Sequence, residues 1–306
     1  MDRKAYFFID DVIWVIRDLA RQRPASIFDN AFLAMLKRAH DDNGLKVQLN
    51  LFYRTDFFYG SDEFTLADMP DVYKAEFEAA HDWLRFAFHA KQEFPDYPYV
   101  NATYEDVKND YEAVAREVRR FAGCELAPAV VPHWLPISKE GCRALRDCGV
   151  KYIAPSVGDR TEYNGDPTCL PYGHAARLLQ NRQPETMLFT RQTKNKAISS
   201  SICAYNHISQ EEYDSIEGTM NYIEDSELGI RYRQLGGGPT VNLNNLEDFQ
   251  PAYDKLIGRE FIGTATHEQY FYSDYYAYQP DTAEKIYLMS KILHDNGYRY
   301  IHADEM

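Results

Sequence analysis

The sequence predicts a mixed α/β fold in which strands and helices alternate and the strands form a parallel sheet or barrel. Short runs rich in aromatic and β-branched residues recur through the first half of the chain, and stretches of helical length and pattern separate them. The same alternation returns near the end, after a long turn-rich stretch. A length of 306 residues is compatible with a single barrel domain of this kind.

Seven segments are predicted as strands from their β-forming residues. They are AYFFI (5–9), LKVQLNLFY (45–53), RFAFH (85–89), APAVV (127–131), VKYIA (150–154), EFIGTAT (260–266) and YRYIH (298–302). Helices are predicted within 28–44, 70–84, 103–123, 138–149 and 281–297, and most of these segments end in the glycine typical of a helix C-cap.

Residues 155 to about 245 break this alternation with turn-rich sequence such as GDRTEYNGDP and LGGGPTVNLNN. We interpret this range as a large insertion, or a set of elaborated loops, within one domain that covers residues 1–306. The triple glycine at 236–238 is not followed by the Lys-Ser/Thr pair of a phosphate-binding loop, so it indicates a flexible turn.

The charge and hydropathy of the chain exclude several classes of partner. With 33 basic and 47 acidic residues the formal net charge is -14, which would repel nucleic acid and anionic membranes. No apolar run approaches the roughly 18 residues that a membrane-spanning helix needs. The start, MDRKAYFFIDD, does not resemble a signal peptide, so we expect a cytoplasmic protein. The pattern gives no prediction of oligomeric state.

Residue types suited to metal binding and acid–base catalysis follow four of the predicted strands. They are Asp10 and Asp11, His89 and Glu93, His133, and His267 and Glu268. In parallel α/β folds the carboxyl ends of strands converge on the reactive site, so we expect these side chains to lie together. Aspartate, histidine and glutamate suit Zn²⁺ or a similar divalent ion, and a carboxylate and a histidine can move the protons of a hydrolysis. The sequence therefore predicts metal-assisted hydrolysis.

Three of these segments resemble motifs of the NodB-like polysaccharide deacetylases, carbohydrate esterase family 4. FFIDDV resembles the first motif, which implies that Asp10 is the catalytic base and Asp11 a metal ligand. HAKQE resembles the H-x-x-x-H motif, with Glu93 in place of the second histidine, and implies that His89 and Glu93 complete the ligand set. FIGTATHE resembles the last motif and implies that His267 is the catalytic acid. The fold implied by the resemblance is a distorted (β/α) barrel.

The sequence departs from the family pattern in its third motif. The arginine and proline usual there are not visible, and VVPHWLP offers His133 and Trp134 instead, which we expect at the cleft. There His133 would either supplement the metal shell or orient Asp10. SKEGCRALRDCGVKYIAPS resembles the helix and strand that follow this motif. Glu268 and Tyr270 begin the tyrosine-rich segment 268–280, whose rings suit stacking on sugar faces, so both are expected to bind or support the substrate.

This resemblance implies a divergent metal-dependent deacetylase that removes an acyl group from an N-acylated carbohydrate. Two alternatives stay open: an amidohydrolase of small molecules on the same fold, and a non-catalytic carbohydrate-binding protein that has lost the metal. Stoichiometric metal content separates the last alternative from the two enzymes, and a panel of acetylated sugars and small amides separates the enzymes from each other.

Overall fold

The structure, a computed structural model, describes residues 2–55, 63–93, 97–157, 204–275 and 277–306. Its strands are β1 (Lys4–Val12), β2 (Val47–Phe52), β3 (Leu84–Ala90), β4 (Ala129–Val130), β5 (Tyr152–Ile153), β6 (Ser156–Val157), β7 (His207–Ile208), β8 (Ile223–Asp225), β9 (Ile230–Tyr232), β10 (Phe261–His267) and β11 (Arg299–Tyr300). Its α-helices are α1 (Trp14–Gln22), α2 (Ala31–Asn43), α3 (Lys74–Ala80), α4 (Tyr104–Ala122), α5 (Lys139–Asp147), α6 (Gln210–Ile216), α7 (Leu246–Asp254) and α8 (Thr282–Asp295).

A parallel sheet built around β1 forms the centre of the fold. β1 pairs with β2 on one side, β2 pairs with β3, and β10 and β11 both pair with β1, all of them parallel. The mixed α/β fold with a parallel sheet is therefore confirmed. Each of the seven predicted strand segments contains a strand, and each predicted helical segment contains a helix.

A second sheet has the order β4-β5-β9-β8, with β8 antiparallel to β9 and the other pairs parallel. β8 and β9 lie in the range interpreted as an insertion, and β9 pairs directly with β5; residues 158–203 of that range lie outside the described residues. Main-chain hydrogen bonds also connect the first sheet to chain segments next to the second sheet, from Ala127, before β4, to Phe86 and from Gly238, after β9, to Gly263, each 2.7 Å long.

Alternate residues of β1 face two different cores. Phe7 and Ile9 belong to the larger core, which the helices cover, whereas Tyr6 and Phe8 belong to a smaller core on the opposite face of the strand. Continuing the alternation places Asp10 on the same face as Phe8. Among the described helices, none is both long enough and apolar enough to cross a lipid bilayer.

The triple glycine is a place of close backbone contact and not a flexible turn. The segment 235–238 runs beside β10, where Gly237 forms a parallel bridge with Gly263. A side chain at Gly263 would overlap the backbone carbonyl of Leu235, and one at Gly238 would overlap the carbonyl of Gly263. Glycine is required at positions 238 and 263 because the two backbones approach each other there with no room for a Cβ atom.

Candidate active site

The end of β1 carries two adjacent aspartates that face the same cavity, of about 380 Å³. Regular alternation would turn one of them away. Instead, the pairing of β1 with β2 shifts register between Ile9 and Val12, and Asp11 has a left-handed backbone with φ 62°. This bulge at the strand end brings both buried carboxylates, Asp10 and Asp11, to the cavity.

Asp11, His89 and His133 form a buried cluster, whose ligand atoms all lie within 4.8 Å of one another. Oδ1 of Asp11 lies 3.1 Å from Nε2 of His89 and 3.4 Å from Nδ1 of His133. The two imidazole nitrogens are themselves 3.1 Å apart. Three atoms from three different strand ends therefore meet at one point.

Backbone carbonyls fix the outer nitrogen of each imidazole in this cluster. Nδ1 of His89 donates to the carbonyl of Val131 at 2.7 Å, and Nε2 of His133 donates to the carbonyl of Glu93 at 2.9 Å. Because a carbonyl only accepts, each neutral ring carries its proton outward and turns a lone pair inward. Together with Oδ1 of Asp11, the two inner nitrogens direct three lone pairs toward the centre of the cluster. A positive ion at that point would stabilise this arrangement.

Burial and interactions within the site shift the pKa values of the three cluster residues in different directions. Burial disfavours ionisation of Asp11, but its interactions with His133 and His89 outweigh burial and hold its pKa well below the usual range. Burial also disfavours charge on His89, yet the neighbouring Asp10 and Asp11 raise its pKa. For His133 burial dominates and lowers the pKa.

The donor set and its spacing fit a divalent metal ion. Neighbouring ligands of a tetrahedral ion with bonds of 2.0–2.1 Å are about 3.3 Å apart. The three separations in the cluster, 3.1, 3.1 and 3.4 Å, match that value. Two imidazole nitrogens and one carboxylate oxygen suit Zn²⁺ and similar ions.

The structure brings His133, and not the predicted Glu93, into this cluster. Side chains four residues apart lie next to each other in a helix, but residues 91–93 follow β3 without helical structure. The Glu93 carboxylate lies 3.9 Å from Nε2 of His133 and accepts a hydrogen bond of 3.3 Å from Gln269. Glu93 thus contacts the outer side of His133 and orients it through its backbone carbonyl.

Asp10 lies beside the cluster and is held by an asparagine that the sequence did not single out. Its Oδ1 accepts a hydrogen bond of 2.7 Å from Asn50, whose own side-chain oxygen accepts one of 2.7 Å from Gln48. Oδ1 is also 3.6 Å from Nδ1 of His89. Burial raises the pKa of Asp10 above its ordinary value.

His267 ends β10 and is the register partner of Asp10 in the neighbouring strand. Its Nδ1 lies 3.2 Å from Oδ1 of Asn242, a fully buried residue that orients the ring. Asn242 was missed from the sequence because asparagine in a turn-rich stretch such as VNLNN ordinarily forms turns. His267 and the cluster line the same cavity.

Most of the remaining site residues predicted from the sequence line the cavity, and one of them is buried away from it. Trp134 and Tyr270 line the cavity, as does Glu93. Glu268, in contrast, is fully buried outside the cavity lining, and its carboxylate accepts three hydrogen bonds of 2.7 Å from the backbone N–H groups of Ile13, Trp14 and Val15. Burial raises the pKa of Glu268 to about 7. Glu268 therefore caps helix α1 and does not reach the substrate space.

Comparisons with known proteins give information on the fold. No family model matches the chain, and no curated protein matches it either. A 4-alpha-glucanotransferase from Thermococcus litoralis matches all of this chain with a TM-score of 0.54 at 12% identity. The match covers 40% of that protein, so the chain spans less than half of its length.

Two further matches are members of carbohydrate esterase family 4. The Xyl-CE4 domain of a multidomain xylanase from the hindgut metagenome of Trinervitermes trinervoides has a TM-score of 0.42 at 10% identity, covering 100% of this chain and 89% of that one. A family 4 pseudoenzyme from Bacillus anthracis has a TM-score of 0.42 at 11% identity, covering 99% and 65%. The sequence motifs resemble those of the polysaccharide deacetylases of carbohydrate esterase family 4. Solved structures of that family are thus among the structures that this chain matches.

Proposed function

We propose that the protein is a metal-dependent hydrolase that removes an acyl group from an N-acylated carbohydrate. The observation that carries this proposal is the cluster of three inward-facing acceptors, Asp11, His89 and His133, beside Asp10 and His267 on one cavity. The motifs FFIDDV and FIGTATHE support it independently. The strand order, together with the hydrogen bonds from the segments next to the second sheet to β3 and β10, favours the distorted barrel that these motifs imply.

The cluster is the proposed site of a divalent ion, most readily Zn²⁺, with Asp11, His89 and His133 as its ligands. When bound, such an ion would supply Lewis acidity toward an acyl oxygen and lower the pKa of a nearby water. The assignment replaces Glu93 by His133 in the ligand set predicted from the sequence, because the inward nitrogen of His133 lies 3.1 Å from that of His89.

Asp10 is the proposed general base. Its buried carboxylate has a raised pKa, which makes it a better proton acceptor, and Asn50 fixes its orientation beside the cluster. His267 is the proposed general acid, since it faces Asp10 across the strand pair and Asn242 holds its ring. Asp10 would take the proton of the attacking water, and His267 would give a proton to the departing amine.

An amidohydrolase acting on small molecules is the second candidate, and the lining of the cavity favours it. A volume of about 380 Å³ falls in the range of small-ligand sites. Apolar side chains make up much of the wall, among them Leu135, Val157, Leu235 and Leu243. Trp134 and Tyr270, also in the wall, instead suit a sugar ring. A panel of N-acetylated sugars and small apolar amides, assayed with the zinc-loaded protein, decides between them.

Substitutions separate the proposed catalytic pair from the proposed ligands. Asp10→Asn and His267→Ala should each lower kcat by roughly 10² to 10⁴, the usual contribution of general acid–base catalysis, while zinc content stays near one equivalent. Asp11→Asn and His89→Ala should lose zinc and activity together. Zinc is measured by elemental analysis of the dialysed protein. Loss of zinc in Asp10→Asn with retention in Asp11→Asn would exchange the two roles, and wild-type protein that binds no metal would favour the non-catalytic alternative.

A further inference from the structure

Asp11 occupies a backbone conformation that has to be held in place. Its φ of 62° lies in the left-handed region, which costs a residue with a side chain roughly 1 kcal/mol or more. The preceding strand pairing is also interrupted there, because the register shifts between Ile9 and Val12. A ligand in such a position keeps its geometry only if contacts from elsewhere in the fold fix it.

Gln269 makes one of these contacts, directly to the carboxylate of Asp11. Its Nε2 donates to Oδ2 of Asp11 at 2.8 Å and lies 3.3 Å from Oε2 of Glu93. Gln269 is only 3% exposed, although it lines the cavity, so this bond is largely shielded from bulk water. By occupying Oδ2, Gln269 turns Oδ1 toward the two histidines, and Asp11 presents a single oxygen to the cluster.

Glu268 makes the other contact, to the backbone that follows Asp11. Helix α1 begins at Trp14, and the side chain of Ile13 at its N-cap position makes no capping bond. The Glu268 carboxylate supplies that cap, with 2.7 Å bonds from the N–H groups of residues 13, 14 and 15. The turn containing Asp11 is thereby fixed at its far end by the residue next to Gln269.

We propose that Glu268 and Gln269 are positioning residues that hold Asp11 in its left-handed conformation and thereby set the metal affinity of the cluster. This inference rests on the proposed function, in which Asp11 is a ligand. It adds that the affinity depends on two adjacent residues, more than 250 positions away in the sequence, that do not bind the metal.

Gln269→Met tests the direct contact, because methionine has a similar length and cannot donate a hydrogen bond. Competition with a chromogenic chelator should show zinc affinity 10- to 100-fold weaker than wild type, the usual effect of losing a hydrogen bond to a ligand. The Co²⁺-loaded protein should also show a changed d–d absorption spectrum, because Asp11 is free to rotate. The matched control is Gln279→Met, since Gln279 is another buried glutamine whose amide donates to the backbone of Asn242. Its zinc affinity should stay within twofold of wild type.

Glu268→Gln tests the cap, because an amide accepts with one oxygen only and brings its own N–H groups toward the donors of α1. We expect weaker zinc binding together with a lower unfolding temperature. Glu76→Gln is the matched control, since Glu76 similarly accepts bonds from Ser26 and from the backbone N–H of Ile27, away from the cluster. This control should lower the unfolding temperature and leave zinc affinity unchanged.

The outcomes distinguish this inference from the proposed function. Wild-type protein that binds zinc, with Gln269→Met binding it equally well and giving the same Co²⁺ spectrum, overturns the inference and leaves the proposed function standing. Wild-type protein that binds no zinc, Co²⁺ or other divalent ion overturns both. Weakened binding in Gln269→Met but not in Gln279→Met supports the inference, even if Glu268→Gln does not fold.

Discussion

Replacing His133 with glutamine removes one of the three proposed metal-ligand atoms of the cluster. The resulting loss of zinc affinity can be measured from the thermal stability of the protein. A ligand at about 100 times its Kd adds about 2.7 kcal/mol to the free energy of unfolding. An unfolding entropy of about 2.1 cal/mol/K per residue amounts to roughly 0.6 kcal/mol/K for 306 residues. Zinc at that concentration should therefore raise the Tm of the wild-type protein by about 4 °C.

His133→Gln should lose nearly all of this increase. If the affinity falls 100-fold, the same zinc concentration equals the new Kd and adds only about 0.4 kcal/mol, which is less than 1 °C. Glu93→Gln should keep most of the increase, because the contact that orients His133 comes from the backbone carbonyl of Glu93, which this substitution leaves in place. The two variants thus test the ligand set itself.

The assay is differential scanning calorimetry of each variant with zinc and with a chelator. The chelated samples provide the control, since they report any effect of the substitution on the fold itself. If His133→Gln kept the 4 °C increase while Glu93→Gln lost it, the assignment of His133 in place of Glu93 would be refuted.

Three further predictions concern the fold and the partners of the catalytic pair. Gly263→Ala should destabilise the protein by about 3 kcal/mol or more in urea unfolding, because the new Cβ overlaps a backbone carbonyl. The control Gly236→Ala introduces a Cβ that makes only ordinary contacts, so this variant should unfold like the wild type. Equal stability of the two variants would contradict the close approach of the two backbones. Burial lowers the pKa of His302 to about 4, so the folded state binds this proton less readily than the unfolded chain, and the free energy of unfolding falls by at most about 3.4 kcal/mol as pH falls from about 6.5 toward 4. His302→Gln should flatten this part of the pH dependence, and an unchanged slope would argue against it. Asn50→Leu removes the donor to Asp10 and should lower kcat about 10- to 100-fold with zinc content unchanged; wild-type kcat would exclude a positioning role for Asn50.

Many of the regular elements of the fold were predictable because local sequence favours them, whereas α6, α7 and β6 to β9 were not predicted. Alternating or continuous apolar runs with aromatic or β-branched residues marked β1, β2, β3 and β10, and terminal glycines marked the ends of most of the predicted helices. Helix α1 was not predicted, because VIWV continues the apolar run of β1 and no Ser, Thr, Asp or Asn stands at its N-cap position, Ile13. The cap comes instead from Glu268, which no local pattern can indicate.

The cluster was partly predictable for a similar reason. Asp11, His89 and His133 stand at strand ends, a position that the alternation of elements already indicated. Glu93 was expected as a ligand only because HAKQE resembles the H-x-x-x-H motif, and that resemblance did not indicate the path of residues 91–93, which are not helical. Asn50 and Gln269 escaped notice because a buried amide gains its role from the carboxylate it contacts, and that contact is visible only in three dimensions.

The remote cap of α1 by Glu268 has a consequence for the timing of synthesis. All three residues of the cluster lie within the first 133 positions, but Glu268 emerges 135 positions after His133. At about 5–20 residues per second, a ribosome needs roughly 7 to 27 seconds to cover that distance. During this interval the nascent chain carries all three side chains of the proposed metal site while the turn that contains Asp11 is still unsupported, and β1 still awaits its partner β10. The geometry of the proposed metal site is therefore completed only with the last strands, after its three side chains have already been exposed to the metal ions of their surroundings.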